Sequence, residues 1–166
     1  NACQNGNLEL AKSLFQQKPT IDISRNNENL FRLVCSFGHL DVAKWLIEVK
    51  KDINIYCGKV GDVKEDAFIN ACSYGHLNVA KWLLLLESNF NNKDKKYDIV
   101  YAFMNACKNS RLNIAKWLLE VNPEIGNERN ITSALRCASK NGYLNIAKWL
   151  LEVKPEIMID INIRSE

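Results

Sequence analysis

Gly38-His-Leu-Asp-Val-Ala-Lys-Trp-Leu46 returns later in the chain as Gly75-His-Leu-Asn-Val-Ala-Lys-Trp-Leu83. It returns again as Ser110-Arg-Leu-Asn-Ile-Ala-Lys-Trp-Leu118 and as Gly142-Tyr-Leu-Asn-Ile-Ala-Lys-Trp-Leu150. A weaker copy, Gly6-Asn-Leu-Glu-Leu-Ala-Lys-Ser-Leu14, stands near the start. The Gly/Ser positions 6, 38, 75, 110 and 142 are separated by 32, 37, 35 and 32 residues. Self-similarity at such a period means a stack of small units, none of which buries its apolar face alone.

Each unit reads as two short helices. After the glycine, Leu77, Ala80, Leu83 and Leu84, widened by Val79 and Trp82, fall at helical spacing on a broad buried face. Pro19, Pro123 and Pro155 share one register just beyond this second helix, which proline cannot continue. The first helix is expected over Asn29–Phe37, Asp66–Tyr74, Tyr101–Asn109 and Ser133–Asn141. Asn29, Asp66 and Ser133 offer side-chain oxygens as N-caps, and Asp98 can take that part for the third copy. Phe31, Phe68, Phe103 and Leu135 occupy one register and should point inward. Four of the seven glycines sit in the turn between helices, where a left-handed backbone costs glycine little.

Between helix pairs lie stretches such as Thr20-Ile-Asp-Ile-Ser24 and Asp52-Ile-Asn-Ile-Tyr56. Their alternation of apolar and polar residues suits the short extended arms of a projecting hairpin. The two longer spacings place extra residues within Lys50–Glu65 and Asn89–Asp98. These are a second-choice contact region, because insertions in a repeat go to loops on one face.

Helix, turn, helix and extended arm at about this period resembles the ankyrin repeat. The resemblance is carried by Ala71-Cys72-Ser73-Tyr74-Gly75-His76-Leu77 and by Val79-Ala80-Lys81-Trp82-Leu83-Leu84. These are similar to the family's Ala-Ala-x-x-Gly-His-Leu turn and Val-Val-x-x-Leu-Leu second helix. The family's Thr-Pro-Leu-His is replaced by Asn29-Leu-Phe-Arg32, Asp66-Ala-Phe-Ile69, Tyr101-Ala-Phe-Met104 and Ser133-Ala-Leu-Arg136. Its Gly-Ala-Asp is replaced by Asn122-Pro-Glu124 and Lys154-Pro-Glu156. The repeated Ala-Lys-Trp-Leu-Leu-Glu wording is also similar to the ankyrin arrays of giant DNA viruses of amoebae.

The expected fold is therefore an all-α, ankyrin-type α-solenoid with short hairpin or extended connections. A single array covers residues 1–166: a partial repeat at 1–24, repeats at 25–60, 61–95, 96–127 and 128–159, and the start of another at 160–166. Neither end supplies an obvious polar cap, so a monomeric fragment of a longer array is expected.

Composition excludes several classes. Gly (7) and Pro (3) are too few for collagen-like or Pro-rich disordered chains, and six Cys are too sparse for a disulfide-stapled secreted scaffold. The apolar run Trp82–Leu86 is much too short to span a bilayer, and no membrane association is expected. A net charge of +3 argues neither for nor against nucleic acid.

Candidate chemistry is thin. Cys3, Cys35, Cys72 and Cys107 share one register, which Ser139 completes. Helices packed about 8–10 Å apart hold such thiols too far apart for a disulfide or a shared zinc. They read as small buried side chains where the family uses Ala, and free thiols point to a reducing compartment. Cys57 and Cys137 fall off this register. His39 and His76 each follow a turn glycine, giving Cys35-x3-His39 and Cys72-x3-His76. The thiols should lie in the stack and the imidazoles in the turns, so no Cys–His pair or metal site is expected. Gly58-Lys-Val-Gly61 lacks the spacing of a phosphate loop, and Asn130-Ile-Thr132 is a lone sequon match. No catalytic, cofactor-binding or metal residue is assigned, and the chain reads as a non-enzyme.

Two ladders remain. Trp45, Trp82, Trp117 and Trp149 read as packing between repeats. Lys12, Lys44, Lys81, Lys116 and Lys148 read as a solvated outer face, with nucleic acid or an anionic surface as the alternative partner. The residues that vary between copies are more informative. In ankyrin proteins the turn-proximal end of the first helix, with the hairpin tips, forms the concave binding surface. Carried over, that assigns partner contact to Ser36, Phe37, Ser73, Tyr74, Lys108, Asn109, Lys140 and Asn141. The resemblance thus implies an intracellular scaffold, cytoplasmic and in the host cell for a viral array, that binds an unidentified protein partner without a cofactor. A rigid spacer for another domain is a further alternative.

Overall fold

The computed structural model describes residues 2–19, 25–51, 53–55, 59–60, 63–64, 66–89 and 98–157. It divides into two compact units, Asn1–Tyr97 and Asp98–Glu166.

The first unit runs α1 (Leu8–Gln17), α2 (Arg25–Ser36), α3 (Leu40–Val49), β1 (Lys59–Val60), β2 (Val63–Lys64), α4 (Ala67–Tyr74) and α5 (Leu77–Asn89). Helices α2 and α3 form one pair and α4 and α5 the next, with α2 packed on α4. The second unit runs α6 (Ile99–Lys108), α7 (Leu112–Val121), a 3-10 turn (Pro123–Gly126), α8 (Glu128–Lys140) and α9 (Leu144–Val153). There α6 pairs with α7, α8 with α9, and α6 packs on α8. In both units first helices stack on first helices, as a helix-turn-helix repeat requires.

The core follows the repeat. Phe31, Phe68 and Phe103 are fully buried and Leu135 nearly so, as their shared register predicts. Val42, Ala43 and Leu46 are buried in α3, and Val79, Ala80 and Leu83 in α5. Ile114, Ala115 and Leu118 repeat the pattern in α7. The tryptophans are half-buried, and Trp45, Trp82 and Trp149 each meet a ring of the preceding copy. Trp82 meets Phe31 of the preceding copy at 6.4 Å between ring centroids, and Trp149 meets Phe103 at the same distance. Trp45 takes Phe15 instead, at 5.8 Å and nearly perpendicular.

Helix starts depart from the sequence expectation in two places. Asp66 and Asp98 do cap α4 and α6, accepting from Ile69 N at 2.7 Å and Tyr101 N at 2.9 Å. Helix α2, however, begins at Arg25 and not at Asn29. Helix α8 begins at Glu128, because Asn127 Oδ1 accepts from Asn130 N at 3.0 Å and starts the helix more than a turn before Ser133. Ser133 then lies inside the helix, its hydroxyl donating to the Arg129 carbonyl at 2.8 Å.

The connections also differ between copies. Of the arm Asp52–Tyr56, residues 53–55 are described: Ile53 and Ile55 are buried and Asn54 is exposed, the expected alternation. The paired strands come later, within the Lys50–Glu65 insertion, with Lys59 opposite Lys64 and Val60 opposite Val63. In the second unit the corresponding stretch is the 3-10 turn, opened by Pro123 and closed over the buried Ile125. Proline at the first position of a helical turn loses no hydrogen bond there. The arm Thr20–Ser24 lies outside the described residues, as does most of Asn89–Asp98.

Candidate functional site

The turn after each first helix is built by backbone hydrogen bonds that bring the chain end into a left-handed residue. Gly38 N donates to Cys35 O and His39 N to Val34 O, at 3.2 and 3.1 Å. Gly142 and Tyr143 repeat this on Ser139 and Ala138, at 3.1 and 2.9 Å. Such paired bonds satisfy the last carbonyls of the helix and require φ above zero at the turn residue. Gly6, Gly38, Gly75 and Gly142 take it, at 71, 80, 96 and 73°. The third copy has Ser110 at φ 61°, the one positive-φ residue other than glycine among those described.

This turn fixes the residues just ahead of it. In the first unit Phe37 follows α2 and Tyr74 ends α4, at equivalent positions, 52% and 57% exposed. The Phe37 ring lies 6.2 Å from the His39 ring, so the turn itself supports it. Ser36 and Ser73, one residue earlier, face their own helices. The Ser36 hydroxyl donates to Leu33 O at 2.8 Å and that of Ser73 to Ile69 O at 2.7 Å. Ser36 is only 8% exposed, so of each serine–aromatic pair the aromatic is the member that stands out.

In the second unit the same positions hold Lys108-Asn109 at the end of α6 and Lys140-Asn141 at the end of α8, all four exposed. Each asparagine folds back on its helix: Asn109 Nδ2 donates to Asn105 O and Asn141 Nδ2 to Cys137 O, both at 2.8 Å. A main-chain carbonyl only accepts, so each amide must present its NH₂ inward.

The histidines take a role that the sequence reading did not assign. His39 Nε2 donates to Gln4 O at 2.9 Å, and the ring covers Gly6 so closely that a Cβ there would lie 2.5 Å from Nδ1. His76 covers Gly38 in the same way. Each imidazole therefore packs on the turn glycine of the preceding copy. The recurring Gly-His dipeptide was the available signal, since a ring fits over a turn with no side chain of its own.

The buried thiols are inert by placement. Cys35, Cys72 and Cys107 are buried, Cys3 and Cys137 half-buried, and all five are free. Burial raises the Cys35 thiol far above its usual range, and does the same for Cys72 with the Asp66 carboxylate adding to it. Cys107 is pushed up to about 12 by burial and the neighbouring Cys137. Cys3 is raised by the same desolvation, less strongly. Ser139, which completes the register, is exposed at the end of α8.

Among the described residues no group of three or more His, Cys, Asp or Glu is placed to hold a metal ion. No helix among them is long and apolar enough to cross a membrane. Lys44, Lys81, Lys116 and Lys148 are exposed, as a solvated row should be. Lys12 is half-buried and pairs with Glu9 at 3.9 Å. Leu85 stands where the other complete copies have Glu48, Glu120 and Glu152, and is itself strongly exposed.

No curated protein matches this chain. Among solved structures it is similar to the human ASB11 ankyrin repeat domain, with a TM-score of 0.65 and 23% identity. That match covers 92% of this chain and 67% of the other. Ankyrin repeats are generally non-catalytic modules for protein–protein interaction. A profile of ankyrin repeats in three copies matches residues 1–94 and 68–165. With matches that together run nearly the length of the sequence, on helix pairs that stack first helix to first helix, the chain belongs to the ankyrin repeat family.

Proposed function

We propose that this chain is a non-catalytic recognition array that binds a partner protein through the turn-proximal ends of its first helices. The observation that carries the reading is the exposure of Phe37 and Tyr74, each more than half open to water at equivalent positions. Exposed aromatics at a fixed register are effective interface anchors. Burying the remaining half of such a ring contributes about 2.5 kcal/mol at most. The inward hydroxyls of Ser36 and Ser73 support the same reading, because they turn to their own helices and leave the rings as the outward members of each pair.

The burial of Cys35, Cys72 and Cys107, and the packing of His39 and His76 on turn glycines, support a non-enzyme. The free cysteines support a reducing, intracellular setting. The Ala-Lys-Trp-Leu-Leu-Glu wording supports an origin among viral arrays acting in a host cytoplasm.

The test is affinity capture from the native cell with the full-length protein, comparing wild type with F37A/Y74A. Loss of a protein partner in the double variant, with an unchanged melting temperature, supports the reading. Undiminished capture overturns it. Capture lost instead with K44A/K81A/K116A/K148A, and falling steeply with salt, favours an anionic partner on the lysine row.

A further inference from the structure

The two copies in the second unit are richer in cations than those in the first, where residues 31–46 carry Arg32 and Lys44 with Asp41 and residues 68–83 carry Lys81 alone. Residues 103–118 and 135–150, from the middle of each first helix to the middle of the second, contain no Asp or Glu. They carry Lys108, Arg111 and Lys116 in one copy and Arg136, Lys140 and Lys148 in the other. One lysine per helix complements the C-terminal end of the helix dipole. That does not account for the asparagine beside each lysine, nor for the absence of any carboxylate to balance it.

The asparagine narrows the partner. Nδ2 of Asn109 and of Asn141 gives one N–H to its own helix, which leaves the second N–H and Oδ1 of an exposed amide open. Each copy thus offers a cation and, next to it, an acceptor. A DNA phosphate can take the lysine and the second amide N–H, but a backbone of acceptors leaves Oδ1 unmatched. A peptide supplies both complements, a carboxylate for the ammonium and a backbone N–H for the amide oxygen.

Spacing narrows it further. Helix α6 packs on α8 within the unit, and packed helices lie about 8–10 Å apart. Three residues of polyproline II advance about 9.3 Å and return the side chain to the same face. We propose that Lys108-Asn109 and Lys140-Asn141 bind an acidic peptide segment in polyproline II conformation, with carboxylates at every third residue. Each lysine takes one carboxylate and each asparagine oxygen one peptide N–H. The proposal rests on the protein-recognition reading above and gives its partner a chemistry.

The test uses the full chain and fluorescence anisotropy with labelled, end-blocked peptides. The probe is Glu-Ala-Pro-Glu-Ala-Pro-Glu; the comparison peptide has the same composition with its three glutamates adjacent. An oligothymidine of equal length is the third probe. The spaced peptide should bind more tightly than the clustered one, and K108A/K140A should weaken it by about fivefold to tenfold. K116A/K148A, which removes the same charge from the second helices, should leave it unchanged. Equal affinity for the two peptides, equal loss in both variants, or tighter binding of the oligothymidine overturns the proposal. If the peptide fails while F37A/Y74A still abolishes partner capture, this inference falls and protein recognition stands. If capture is also indifferent to F37A/Y74A, both fall.

Discussion

His39 lies over Gly6, its Nε2 donating to the Gln4 carbonyl at 2.9 Å while its Nδ1 occupies the space that a Cβ on the glycine would need. One imidazole thereby ties two copies together, by a hydrogen bond to one end of the preceding turn and by packing on the other. His76 and Gly38 repeat the packing, whereas a Cβ on Gly142 would meet nothing within 4 Å.

That contrast separates two costs usually measured together. Gly142→Ala should lose only the backbone preference at φ 73°, about 1 kcal/mol. Gly38→Ala adds a collision with the His76 ring and should cost about 3 kcal/mol. Chemical denaturation of both variants, and of Gly38→Ala combined with His76→Ala, checks this. The difference between the glycines should shrink once the ring is removed.

Ser110 holds a left-handed backbone with a side chain attached, at φ 61°. Ser110→Gly should relieve that strain, partly offset by the greater freedom of glycine in the unfolded chain, for a net gain of about 0.5–1 kcal/mol. A melting temperature that falls in this variant would contradict the assignment.

Trp45, Trp82 and Trp149 act through a phenylalanine of the preceding copy. Trp149→Ala removes the ring against Phe103, 6.4 Å away, and should destabilise by about 2–3 kcal/mol. Trp149→Phe should recover part of the loss. The same measurement on Lys148→Ala, one residue earlier and exposed, should show almost none.

Thiol chemistry should divide by burial. Alkylation under native conditions, read by peptide mass spectrometry, should modify Cys137 while Cys35, Cys72 and Cys107 stay protected until unfolding. A thiol raised in the fold stabilises it fully below the unfolded value of about 8.5, and that contribution is lost as pH rises. With Cys107 raised to about 12, stability should decline progressively from about pH 8.5 toward pH 12. Cys107→Ala should flatten part of that decline.

The repeat was legible because its signals are local: a glycine turn, an amphipathic second helix and a proline stop each show within one copy. Phe31, Phe68 and Phe103 could be placed in the core from register alone. The start of α8 could not, because Asn127 and Ser133 are both competent caps and only the buried Ile131 between them decides that the helix begins early. Register alone does not fix the exposure of Phe37 and Tyr74, and the burial of Ser36 depends on a hydroxyl turning to its own helix. The His39 hydrogen bond joins residues 35 apart, so the recurring Gly-His dipeptide marks the imidazole without naming its partner.

The most direct test of protein recognition at the turn-proximal helix ends is site-specific photocrosslinking in the native cell. A benzophenone amino acid is placed at position 74 in one variant and at position 148, on the exposed lysine row, in another. The account predicts a discrete protein adduct from position 74, abolished by Phe37→Ala, and none from position 148. A protein or nucleic-acid adduct from position 148 alone would contradict it.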